Sequence, residues 1–365
     1  MTLATVNDAR NRWGTPHDLP EGIDADYART QRDAVRHLVD AMGRAERLKS
    51  DDLPRKGIST VTGRANLLRQ GELFADQAAG DVMILAFQGP GRYHVRTDAR
   101  GVFRLKGMAS KKLTLHKVII EGYKFDPRTG KTVLAIDKPG TGKSAYRVKM
   151  KNRDMETDLV MFSCRQITLT DMLEPRTFRY LTKIELIDAR REAEPPKYWY
   201  SRIDTRASTL LSIYLEPGTR LKLTLSDTVL KKKMILTNGD PDRPEGIGYQ
   251  VDRWDILHQT GYRAAWDMWA LLKPRIRNLE SKGIYNERIR DLWNEGDAAL
   301  AASSLALKEK EYSRFIGEAA RSWALASRVY DHVEGTQKDV LFGVLFYIAL
   351  FVPFAFCAER LLFSF

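Results

Sequence analysis

Val340-Leu-Phe-Gly-Val-Leu-Phe-Tyr-Ile-Ala-Leu-Phe-Val-Pro-Phe-Ala-Phe-Cys-Ala358 holds no charge and nothing more polar than Tyr347 and Cys357. At the helical rise of about 1.5 Å per residue this stretch spans roughly 29 Å, close to the hydrocarbon thickness of a bilayer. Pro353 would break most soluble helices, but a membrane span tolerates it where neighbouring groups satisfy the freed carbonyl. A buried core helix or the apolar stem of an oligomer is the other reading, yet uninterrupted apolar runs of this length seldom stay soluble. A transmembrane helix is expected over residues 338–362, with Val340, Phe346, Pro353 and Ala358 in the span. The rest of the chain then becomes a polar body whose first partner is the lipid bilayer.

The body is globular in composition: the 365 residues are 43% hydrophobic and 29% charged, long enough for two or three domains. A net charge of +12 invites a nucleic-acid reading, but the cations are not clustered. The longest basic run is Lys231-Lys232-Lys233, followed by Lys111-Lys112, and no zinc-finger, RNP or helix-turn-helix signature accompanies them. No nucleic-acid partner is expected. Anionic headgroups beside the anchor would use the same charge, at about 1 kcal/mol per nearby Lys or Arg; the plainer alternative is charge with no specific role.

Cys164 in the body and Cys357 in the span form no disulfide framework and carry no compartment signal. The N-terminal Met1-Thr-Leu-Ala-Thr-Val-Asn-Asp-Ala-Arg10 lacks the apolar core of a signal peptide. Either the body is cytosolic and the chain tail-anchored, or the chain is part of a longer protein. The apolar ending Glu359-Arg-Leu-Leu-Phe-Ser-Phe365 favours the second.

Residues 1–55 form a polar lead-in with a helical stretch from Asp26 to Leu48, where Ala28, Ala34, Val35, Leu38, Val39 and Met42 share a face. From Gly57 to about Asn238 the pattern changes to short β-type runs separated by turn residues. Thr60 to Leu67, Val82 to Phe87, Tyr93 to Thr97 and Val102 to Leu105 read as strands, the last two flanking a hairpin at Asp98-Ala-Arg-Gly101. Val118 to Ile120 and Thr132 to Ile136 flank a second turn at Asp126-Pro-Arg-Thr-Gly130, and Tyr146 to Lys151 alternates with period two. Turn signals at this spacing argue for a sandwich.

Thr62-Gly63-Arg64, then Thr97-Asp98-Ala-Arg-Gly101-Val-Phe103-Arg-Leu105-Lys-Gly107, then Glu121-Gly122-Tyr123 together resemble the carboxypeptidase regulatory-like domain over residues 57–152. The resemblance implies a transthyretin-like β-sandwich in which Gly101 makes the turn and Phe103 and Leu105 point into the core. It departs from the pattern in an insertion around Gln70 to Gly80 and an extra hairpin beyond Tyr123.

Leu159 to Cys164, Lys183 to Ile187, Thr209 to Leu215, Leu221 to Leu225 and Lys233 to Thr237 form a second β-rich block over residues 153–250, with a turn at Glu216-Pro-Gly-Thr219. Residues 254–335 have helical periodicity and are expected as a hairpin or bundle forming a stalk. Ala265, Met268, Trp269, Leu272, Ile276 and Leu279 make one stripe, kinked or interrupted at Pro274. A second segment runs from Asn286 to Asn294, Gly296 opens a third, and Ile316, Ala319, Ala320, Trp323, Ala326, Tyr330 and Val333 make the last stripe. The fold class expected is thus mixed, mainly β and then α. In this order the chain is similar to bacterial membrane proteins in which a regulatory-like domain and a helical stalk precede the first span of an FtsX-like permease.

Pro139-Gly-Thr-Gly142-Lys143-Ser144 ends like a nucleotide-binding P-loop, but the glycine required five residues before Gly142 is Asp137, a carboxylate that would repel phosphate. The residues after Ser144 read as a strand and not as the helix a P-loop needs, so a Gly-rich β-turn is expected. The six histidines form no zinc pair, and no Gly-x-Ser-x-Gly elbow occurs. No catalytic residue, metal or cofactor is expected, and the chain is read as not an enzyme. The candidate binding surface is Tyr198-Trp199-Tyr200, with Arg202 and Arg206 nearby; its alternative role is strand and core packing.

The functional expectation is a non-catalytic, extracytoplasmic binding or coupling region anchored in the bacterial inner membrane, with a protein partner in the envelope. An accessory region of a peptidase-associated or envelope-assembly protein is the alternative. Arg321, Arg328 and Lys338 precede the span and only Arg360 follows it, which by itself would place the body in the cytoplasm. The resemblance implies the opposite side.

Overall fold

The computed structural model describes residues 19–22, 24–44, 58–201, 210–227 and 232–363. It divides into two compact units, Met1–Lys56 and Gly57–Phe365. In the first, helix α1 (Ala25–Arg44) starts where the Asp24 carboxylate accepts the amides of Asp26 and Tyr27, both at 3.0 Å. None of its residues is buried. The expected last turn to Leu48 lies outside the described residues.

The second unit opens with β1 (Ile58–Leu67), β2 (Gln77–Ala78), β3 (Met83–Gln88), β4 (Gly91–Arg96), β5 (Val102–Ala109), β6 (Val118–Phe125) and β7 (Thr132–Ile136). Two single helical turns, α2 (Lys138–Thr141) and α3 (Lys143–Tyr146), precede β8 (Arg147–Val148), β9 (Asp154–Glu156) and β10 (Leu159–Ser163). The long β1 serves two groups of strands. Residues 58–64 pair with β5, and residues 60–62 also with β9. Residues 65–67 pair with β10 and residues 66–67 with β2, continuing the order β10-β7-β6-β3-β4. Val61, Ala65, Ile84, Phe103, Leu105, Ile120 and Met161 are buried together between them.

The turn at residues 98–101 is present but does not close a hairpin. β4 pairs with β3, through the turn at Gly89 and Pro90, and β5 pairs with β1. The turn instead carries the chain from one group of strands to the other. Gly101 has φ +75°, and a Cβ there would meet the Ala65 carbonyl at 2.5 Å, so glycine is required on both counts. The turn at Glu216 to Thr219 behaves the same way, since the strands it joins have different partners. The Asp126 to Gly130 turn does join a paired hairpin, β6 with β7.

The next strands are β11 (Arg165–Thr170), β12 (Leu173–Glu174), β13 (Arg179–Tyr180), β14 (Lys183–Asp188) and β15 (Tyr198–Tyr200). They continue with β16 (Leu210–Leu215), β17 (Arg220–Ser226), β18 (Met234–Leu236), β19 (Tyr249–Gln250) and β20 (Ile256–Leu257). One sheet has the order β15-β16-β11-β20; a second has β14-β17-β18 with β19 also on β17; β12 and β13 form a small ribbon.

Three helices complete the unit: α4 (Thr260–Ser281), α5 (Glu287–Lys308) and α6 (Tyr312–Phe363). α4 continues through Pro274. α5 continues through Gly296, where a Cβ would lie 2.2 Å from the buried Trp269 ring; the glycine admits that ring and does not end the helix. Trp269 Nε1 donates to Ser322 Oγ at 3.0 Å, and that hydroxyl donates to the Gly296 carbonyl at 2.8 Å. The helices and the preceding strands share one core, in which Ile167, Leu223 and Leu236 meet Met268, Trp269, Trp323 and Val329. Residues 254–335 are therefore packed onto the second β block and do not stand apart as a stalk.

α6 is buried on one face from Phe315 to Val333, while the residues from Val340 to Phe363 are almost all exposed. Among the described residues it is the one helix long and apolar enough to cross a membrane. Val340 and Phe346 are exposed, Ala358 partly so, and the helix continues through Pro353.

Candidate functional site

Alternation along the β15-β16-β11 wall decides what it presents to each side. Tyr198, Ile167, Leu169, Leu211, Ile213 and Leu215 enter the core shared with the helices. Trp199 and Tyr214 enter the core of the first block instead. The wall is thus common to both cores, aromatic at the β15 end of the face toward the first block and polar at the β11 end.

At the aromatic end, Trp199 Nε1 donates to Tyr123 Oη at 2.9 Å, and that hydroxyl donates to Glu121 Oε2 at 2.9 Å. Tyr146 packs edge-on against Trp199 with ring centroids 5.3 Å apart. Burial, reinforced by the Glu121 charge, holds the Tyr123 hydroxyl well above the ordinary tyrosine range. Tyr198 and Trp199 are each only 5% exposed, so of the three aromatics proposed from sequence only Tyr200 keeps appreciable surface. Lys138 Nζ reaches the hydroxyls of Tyr198 at 3.2 Å and Tyr200 at 3.0 Å and lies over both rings. Tyr198 also donates a short hydrogen bond to Glu194. Burial pushes its pKa up to about 12. The cluster joins the two blocks. Arg202 and Arg206 lie outside the described residues.

At the polar end, Thr132 Oγ1 donates to Gln166 Oε1 at 2.9 Å, and Gln166 Nε2 donates to Thr168 Oγ1 at 3.0 Å and Ser212 Oγ at 3.3 Å. Thr132, Gln166 and Thr168 of this row line a cleft of about 490 Å³. Ion pairs flank it: Lys131 with Asp255 at 2.7 Å, and Arg165 with Asp252 at 3.6 Å. Amide and hydroxyl groups that both donate and accept suit a ligand rich in hydrogen-bonding groups. The sequence reading did not pick out β11. Its signal was present in Arg165-Gln-Ile-Thr-Leu-Thr170, whose period-two alternation places Gln166 and Thr168 opposite Ile167 and Leu169.

The P-loop-like segment is two helical turns in place of the expected β-turn, and only Arg147 and Val148 of the expected following strand are in a strand. Asp137 caps the first turn by accepting the Gly140 amide at 3.2 Å. That capping bond favours a helical start over a β-turn. The five described histidines are all exposed, and among the described residues no group of three or more His, Cys, Asp or Glu could hold a metal ion. Cys164 is buried, which pushes its thiol up to about 12.

No family model and no curated protein matches the chain. Similar solved structures include the Bacillus anthracis TIE protein, 11% identical over 47% of this chain and 28% of that one, with a TM-score of 0.18. The shaft pilin SpaA from Lactobacillus rhamnosus GG is 6% identical over 47% of this chain and 88% of that one, with a TM-score of 0.20. At such scores the likeness goes no further than β-rich structure, and this chain spans little more than a quarter of the TIE protein's length.

Proposed function

We propose that the chain is a non-catalytic, membrane-anchored module of a bacterial envelope protein, which binds a polar ligand or protein partner at the cleft and couples that event to the membrane. The observation that carries this reading is the continuity of α6. The helix that supplies Trp323 and Val329 to the core runs without a loop into the exposed apolar stretch beginning at Val340. A stiff helix transmits a tilt or rotation of the body, where a flexible linker would absorb it.

The first block is read as a regulatory-like β-sandwich. The reading is supported by Gly101 at its turn, by Phe103 and Leu105 in the core, and by Tyr123 at the joint with Trp199. The order of β-rich block, helices and apolar span supports a permease-type carrier with the body outside the cytoplasm. An accessory region of a peptidase-associated protein would use the same body and differ in what adjoins it. The test is protease added to spheroplasts that express the full chain. An extracytoplasmic body is digested before lysis; a body protected until lysis rejects that placement and the permease-type reading with it.

A further inference from the structure

Contacts within the helical bundle fix which end of the body faces the membrane. Tyr262 packs on Phe315 at 5.6 Å between ring centroids, and seven residues further along both helices Trp269 bonds to Ser322 at 3.0 Å. α4 and α6 therefore run parallel and in step. Carried forward to the end of α4, this register brings Ser281 level with Glu334. α5 returns antiparallel, with Ser303 bonded to Phe315 and Gly296 to Ser322. The α4–α5 turn thus lies at the end of the bundle where α6 becomes apolar, within about two helical turns, roughly 10 Å, of Val340 along the axis.

The composition of that turn is out of keeping with an aqueous loop. Every residue from Ser281 to Arg288 is exposed. At the tip Ile284 is 37% and Tyr285 64% exposed, and neither belongs to the core. Lys282 precedes them and Arg288 follows, after Asn286 and the exposed Glu287, and among the described residues neither cation is in an ion pair. An apolar residue and a tyrosine between two unpaired cations is the chemistry of a membrane interface, where the ring sits at headgroup level and the cations meet phosphate.

We infer that the turn Lys282–Asn286 is a second membrane contact. Ile284 and Tyr285 enter the headgroup–acyl boundary of the leaflet that α6 crosses, and Lys282 and Arg288 bind its anionic phosphates. The inference rests on the membrane reading of α6 and adds a function: two contacts, the span and the turn, fix the rotation of the body about the span axis.

The test uses the full chain carrying Cys357→Ala in nanodiscs of phosphatidylcholine and phosphatidylglycerol, with nitroxide labels on Ile284→Cys, Phe346→Cys or Lys308→Cys. Cys164 is buried and stays unlabelled. The expected result is that labels at 284 and 346 collide more with oxygen than with an aqueous nickel complex, and the label at 308 the reverse. A label at 284 that behaves like 308 while 346 remains in lipid overturns this inference and leaves the span intact. Aqueous behaviour at 346 overturns the membrane reading itself. Adding Lys282→Glu and Arg288→Glu should shift the label at 284 toward water; an unchanged depth overturns the phosphate contact.

Discussion

Asp137 is 2% exposed, and its Oδ1 has no hydrogen-bond partner. Burial raises its pKa from 3.8 to about 6, against the opposing pull of the Gly140 amide. The folded state therefore binds this proton more tightly than the unfolded chain does. The stability it contributes is complete below its unfolded pKa and is lost as pH rises through about 6. Asp137→Asn keeps the capping oxygen and removes the titration. Denaturant melts in detergent should show the variant gaining on the wild type between about pH 4 and pH 7, with no further gain above. A constant difference across that range would contradict the account.

Asp267 is the opposite case, a buried carboxylate with four donors. It accepts the amides of Thr237 at 2.7 Å, Asn238 at 2.9 Å and Gly239 at 2.9 Å, and the Tyr249 hydroxyl at 2.9 Å. It thereby ties the loop after β18 to α4. Asp267→Ala leaves these donors unpaired and should cost about 3–5 kcal/mol in the same melts. A variant as stable as the wild type would show that the loop is held otherwise.

At the scale of elements, Gly296 and Trp269 define how closely α4 and α5 pack. Gly296→Ala should cost about 1–3 kcal/mol through overpacking. Trp269→Phe in the same chain removes the ring atoms nearest the new methyl, at 2.2 Å and 2.8 Å, so the paired substitution should cost less than the sum of the two. Strict additivity of the two would contradict the packing argument.

The same two residues show what the sequence withholds. Periodicity placed Met268, Trp269, Leu272 and Ile276 on one face, and all are core. The reading of Pro274 and Gly296 as interruptions came from local propensity, and tertiary packing overrides it at both. The β block repeats this lesson. Asp98 to Gly101 announces a turn, because glycine chemistry is local, but whether β4 then pairs with β5 depends on β1 and β3, which are distant in sequence. The aromatic triplet was legible as a cluster; that its alternate rings enter two different cores was not, since the second core is built from segments far along the chain. The polar cleft went unseen for want of β11.

At the scale of the molecule, the second β block and the bundle share one core, and β15 and β16 tie it to the first block through Trp199 and Tyr214. With α6 continuous from that core, the described part of the second unit has no flexible joint between Phe315 and the apolar stretch. The proposed coupling would run from the cleft to the apolar stretch through packed elements alone. All of this depends on residues 340–358 lying in lipid. The most direct measurement is the partition of the full chain, expressed in cells, between membrane and soluble fractions after alkaline extraction. Retention in the membrane fraction until detergent is added is the predicted result; release as a soluble monomer without detergent would contradict the account.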